Sequence, residues 1–126
     1  MQRKLKVFVT GADGMLGASI CRELIHQEYD VVAMVLPNSK SNVLQGLKIQ
    51  IVEGDILDKK FLEKVMLDCN KVINAAALTN VWPARSDKVM KVNIEGTKNV
   101  MEVADMYNMN RMVHISSAAS FNHGTL

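Results

Sequence analysis

Residues 10–17 read Thr10-Gly11-Ala12-Asp13-Gly14-Met15-Leu16-Gly17, directly after the largely apolar run Leu5 to Val9. A strand that empties into glycines at this spacing and then into a helix builds a cradle for phosphate. Gly11 permits the tight turn, Gly14 lets backbone approach a pyrophosphate, and Gly17 lets the helix pack close to the sheet. The amide groups and dipole of the helix start favour an anion there. The spacing T-G-x-x-G-x-x-G is one residue wider than G-x-G-x-x-G. Its context carries the reading, because a strand precedes it and Leu16, Ile20 and Leu24 mark an amphipathic helix after it.

The other residues with chemical potential also fall where strands end. They are Gly54-Asp55-Ile56, Asn74-Ala75-Ala76-Ala77 and Ser116-Ser117-Ala118-Ala119. Small side chains at these points leave room for a flat ligand and expose backbone to it. The competing, weaker reading of Asp55 is a cap for the segment starting near Asp58. Hydrophobic periodicity gives strands Leu5–Val9, Val31–Leu36, Leu47–Val52, Val72–Ala76 and Met112–Ile115, and helices Met15–Gln27, Lys59–Leu67 and Ser86–Tyr107. Residues 37–42 read as a loop, with one helical turn at Val43–Gln45. Such alternation predicts an α/β fold: a Rossmann-like, doubly wound parallel sheet in one domain over residues 1–126, with strand order 3-2-1-4-5. A tail from about residue 118 is expected to be poorly ordered. Ligands of such sheets bind outside the carboxyl ends of the strands, where the strand order reverses.

Composition narrows the partners. The chain has 126 residues, 48% of them hydrophobic, and a net charge of +2. No apolar run approaches the ~20 residues of a membrane span. The start Met1-Gln2-Arg3-Lys4 leads into a strand without a signal-peptide pattern, which predicts a cytoplasmic protein. The small, dispersed charge argues against nucleic acid. Cys21 and Cys69 have no metal spacing and read as reduced, inert thiols. No two of His26, His114 and His123 are spaced as metal ligands; His114, within the fifth strand, is expected to be packed.

The motifs TGADGMLG, GDILD, NAAA, VNIEGTKNV and HISSAA, in this order, resemble the extended short-chain dehydrogenase/reductase family over essentially the whole chain. Within it, the stretch from Val31 to Asp58 is most similar to dihydroflavonol-4-reductase-like and nucleoside-sugar epimerase-like members. The resemblance implies an NAD(P) site. Asp55 and Ile56 would contact the adenine, and Ala75, Ala76 and Ala77 would line the cofactor. The loop residues Gly11, Asp13, Gly14, Met15, Leu16 and Gly17, with Leu36, Lys40, Asn93 and Ser116, complete the expected cofactor-binding set. Ser117 would match the catalytic serine, with Ser116 as the alternative in the tandem pair. The family also uses Tyr-x-x-x-Lys downstream of that serine, and neither Tyr29 nor Tyr107 has Lys four residues later. As given, the chain therefore reads as the cofactor half of a reductase or epimerase, shortened relative to the family. The alternative is a stand-alone, non-catalytic dinucleotide-binding or interaction module.

Cofactor choice depends on the end of the second strand. An acid there bonds the ribose hydroxyls in NAD sites. Here the positions read Met34-Val35-Leu36-Pro37, with Lys40 the next cation, so the cofactor is NADP or NAD, and the missing acid favours NADP. On the long helix, Val89, Val92, Asn93, Gly96, Val100, Val103, Ala104 and Tyr107 share one face, so Asn93 is a polar group in an apolar stripe. Met90, Ile94 and Met101 widen that arc. The resemblance implies dimerisation through this helix, and a homo-oligomer is expected.

Overall fold

A computed structural model describes residues 4–78, 86–117 and 120. Strands β1 (Lys6–Thr10), β2 (Asp30–Val35), β3 (Gln50–Glu53), β4 (Lys71–Asn74) and β5 (Arg111–His114) alternate with helices α1 (Met15–His26), α2 (Lys59–Met66) and α3. Helix α3 runs from Asp87–Met90 through a π-helical stretch, Lys91–Gly96, into Thr97–Met106. All four strand pairings are parallel, in the order β3-β2-β1-β4-β5. The predicted fold class and strand order are observed.

Two apolar layers sandwich the sheet. Phe8, Val32, Val72, Leu62, Met66, Val100 and Val103 form the layer beneath α2 and α3. Val7, Val9, Val31, Ala33, Ala18 and Cys21 form the layer beneath α1. Alternation along β1 sends Val7 and Val9 to one face and Phe8 to the other, so the strand is buried on both sides.

Two local readings shift. Strand β3 starts at Gln50 rather than Leu47, because Leu47 and Ile49 donate their backbone amides to Leu44 and Leu47 while packing beside α1. The helix expected over Ser86–Tyr107 is continuous, with Ser86 capping it through Val89 N–H, but its middle six residues are π-helical. The expected tail and Ala118 and Ala119 lie outside the described residues. Among the described residues, no helix is long and apolar enough to cross a membrane and no His/Cys/Asp/Glu group could hold a metal.

Candidate functional site

A cleft of about 320 Å³ opens at the carboxyl ends of β1, β2, β3 and β4. Gly11 turns out of β1 with φ +62°, a conformation that favours glycine. A side chain at Gly11 would strike the Ala75 backbone at 2.8 Å, and one at Gly17 would meet the Gly11 carbonyl at 2.0 Å. These two glycines satisfy the fold's own sterics. Gly14 differs: its backbone is extended (φ −78°, ψ 166°), and an added Cβ would meet only the Gly11 oxygen, at 3.4 Å. Among the described residues no neighbouring atom requires glycine there, and Gly14 faces the cleft. It caps α1 without a side-chain acceptor, so the orphan amides of the first turn depend on another partner. A cradle that a side chain would fill, at the start of a twelve-residue helix, suits a phosphate-bearing dinucleotide.

Thr10, fully buried, holds the opposite wall. Its hydroxyl accepts from Ala75 N–H at 3.1 Å and Ala76 N–H at 3.0 Å, and donates to Asn74 Oδ1 at 2.5 Å. That bond fixes the Asn74 amide, whose nitrogen faces Thr97 Oγ1 at 3.4 Å and His114 Nδ1 at 3.2 Å. Nδ1 is therefore the acceptor and the ring proton sits on Nε2. His114 is exposed on β5, which corrects the expectation of a packed histidine: it stands at the site's rim as a partner of Asn74.

The cleft gathers Gly11, Asp13, Gly14, Leu36, Asp55, Ile56, Ala75, Ala76 and Ala77 from the expected set. Asp55 Oδ1 accepts from Leu57 N–H at 2.9 Å, whereas Asp58 caps α2 by accepting from Phe61 N–H, so Asp55 is not that helix's cap. Met15 and Leu16 begin α1 with exposed side chains outside the cleft lining. Lys40 lies exposed on the loop after β2. Ser116 and Ser117 follow β5, next to the end of β4, and do not line the cleft. Asn93 stands behind it: its side chain accepts from Leu78 N–H at 2.8 Å and donates to Leu78 C=O at 3.0 Å, pinning the chain after β4. Gly54, Met34 and Val35, at the strand ends that the sequence places beside the crevice, also line it, as do Leu78, Val92 and Lys88, which the sequence pattern does not assign there. Val92 and Lys88 are one helical turn apart, a spacing that could have signalled them once α3 was oriented.

Burial of the two cysteines pushes both thiols from 9.0 up to about 11, which agrees with their inert reading.

The chain is 34% identical over 113 residues to a protein of Synechocystis sp. provisionally assigned as dihydroflavonol 4-reductase, covering 90% of this chain and 33% of that protein. It is 30% identical over 120 residues to a dihydroquinoline-oxide ketoreductase of Stigmatella aurantiaca, covering 95% and 36%. A solved UDP-glucose 4-epimerase from Stenotrophomonas maltophila, with bound NAD, superposes with a TM-score of 0.81 at 27% identity, over 91% of this chain and 38% of that one. The chain thus spans about a third of the length of the curated relatives it matches. Residues 7–125 match the NAD dependent epimerase/dehydratase family, and the chain belongs to it.

Proposed function

We propose that this chain is the dinucleotide-binding portion of an NAD(P)-dependent reductase or epimerase. The observation that carries the reading is Gly14, a glycine that the fold's own packing does not demand, facing the cleft at an uncapped helix start. In this reading the Gly11–Gly17 turn holds the pyrophosphate and Lys88, the one ammonium among the described lining residues, faces its charge. Asp55 and Ile56 border the adenine, and Ala75, Ala76 and Ala77 give the flat ligand room. The bound cofactor would supply hydride exchange. This chain's residues bind it, orient it and, through Ser117 or Ser116 beside the end of β4, present a hydroxyl to a substrate carbonyl or alcohol. Moving the proton would be the task of the Tyr-x-x-x-Lys pair, a motif that these 126 residues do not contain.

Self-association belongs to the same reading. Met90, Ile94 and Met101 of α3 are about half exposed, at 47%, 57% and 54%, and form an apolar stripe suited to the same stripe of a second copy.

Titration of the chain with NAD⁺ in a calorimeter tests the proposal. Saturable one-to-one binding is expected, and an absence of binding at millimolar NAD⁺ and NADP⁺ would overturn it. A stand-alone module with another ligand is the competing outcome.

A further inference from the structure

No acid ends β2, which by itself favours NADP. The folded chain brings a carboxylate to that corner from elsewhere. Ala12 N–H donates to Met34 C=O at 3.2 Å, which seats the glycine loop against the end of β2. Ser39 Oγ then donates to Asp13 Oδ2 at 2.7 Å, and Ser41 Oγ donates to the Asp13 carbonyl at 3.3 Å. These bonds hold Asp13 between the glycine loop and the β2 loop. They engage Oδ2 and leave Oδ1 without a hydrogen-bond partner among the described residues. Asp13 lines the cleft together with Leu36 and also lines the adjoining cavity beside Ser39, Ser41 and Glu53. Glu53 is in register with Val35, so a second carboxylate borders the same corner.

In sheets of this kind, a carboxylate at the end of β2 accepts from the adenosine ribose hydroxyls and repels a 2′-phosphate. Resting on the dinucleotide reading of the cleft, we propose that Asp13, positioned by Ser39, performs this selection and makes the site specific for NAD over NADP. The acid comes from the glycine loop rather than from the strand, which is why position-by-position inspection of β2 does not find it. Leu36 offers no cation to a 2′-phosphate. Lys40, exposed on the same loop, makes no hydrogen bond among the described residues and is the competing determinant.

The test is calorimetric titration of the full chain with NAD⁺ and with NADP⁺, in wild type, Asp13→Asn, Ser39→Ala and Lys40→Ala, at low and high salt. Melting temperatures of each variant report folding. Wild type is expected to bind NAD⁺ at least about tenfold more tightly than NADP⁺. Asp13→Asn keeps the shape and the Ser39 bond, and should narrow that ratio by strengthening NADP⁺ binding. Ser39→Ala keeps the charge but releases the carboxylate, and should narrow the ratio less than Asp13→Asn does; an unchanged ratio in Ser39→Ala would remove Ser39 from the positioning. The ratio should shrink with salt in wild type and depend less on salt in Asp13→Asn. Equal or tighter NADP⁺ binding by wild type overturns the selection while leaving the dinucleotide reading intact, and loss of that binding in Lys40→Ala would assign the corner to Lys40. An unchanged ratio in a folded Asp13→Asn also overturns it. Failure of wild type to bind either dinucleotide removes the dinucleotide reading and the selection together.

Discussion

Gly14 and Gly17 lie three residues apart in the same loop and answer to different demands. At Gly17 a side chain meets backbone at 2.0 Å; at Gly14 it meets only the edge of one oxygen. Gly14→Val is therefore expected to abolish NAD⁺ binding by filling the cradle, with a melting temperature close to wild type. Gly17→Val should lower stability by several kcal/mol, on the order of an overpacked core position. Parallel thermal melts and titrations separate the two, and a Gly14→Val chain that binds normally would contradict the placement of the phosphates. The thiols give a pH expectation. Burial raises Cys21 and Cys69 from 9.0 to about 11, so the folded state favours the neutral thiols. Their contribution is fully present below pH 9 and is lost as pH rises through about 11, on the order of 2 kcal/mol per thiol. Urea melts at pH 8 and pH 10.5 should show this loss, and its attenuation in Cys21→Ala/Cys69→Ala should identify the source. The glycine cradle was legible at this scale because its spacing is local. The bond between Ser39 and Asp13 spans 26 residues, and the Thr10 contacts with Ala75 and Ala76 span more than 60; no local pattern announces either.

Among the elements, α3 shows where periodicity stops. Its buried stripe was readable because Val89, Gly96, Val100, Val103 and Ala104 repeat at helical spacing, and all are buried. The π-helical turn Lys91–Gly96 was not readable, since the apolar spacing around it remains compatible with a regular helix. Within it, Asn93 makes both bonds to the Leu78 backbone, and Gly96 passes so close to Ile56 that a Cβ would lie 2.5 Å from it. Wide turns of this type frequently mark functional positions. Asn93→Leu should leave the Leu78 amide and carbonyl without their partner and cost about 1–3 kcal/mol, measurable by urea unfolding. The same variant should speed amide exchange at Leu78. Unchanged exchange there would mean that Asn93 does not hold the chain after β4.

At the scale of the whole molecule, strand order followed from alternating strands and helices joined by right-handed crossovers, so five short apolar runs were enough to predict it. The assembly needs a solution measurement. The exposed stripe of Met90, Ile94 and Met101 is expected to pair two copies, and each side chain removed from water contributes at most about 1.5–3 kcal/mol. Light scattering should find a dimer or larger species for wild type and a shift toward monomer in Met101→Glu. A monomeric wild type at high concentration would contradict the stripe as an interface. The central claim, that the cleft at the carboxyl edge of the sheet holds a dinucleotide, is tested most directly by NMR titration of the ¹⁵N-labelled chain with NAD⁺. Amide shifts should concentrate at Gly11–Gly17, Leu36, Asp55, Ile56 and Ala75–Ala77, which line or adjoin that cleft. Shifts confined to the groove of Gln50, Phe61 and Lys64, or none at saturating NAD⁺, would contradict it.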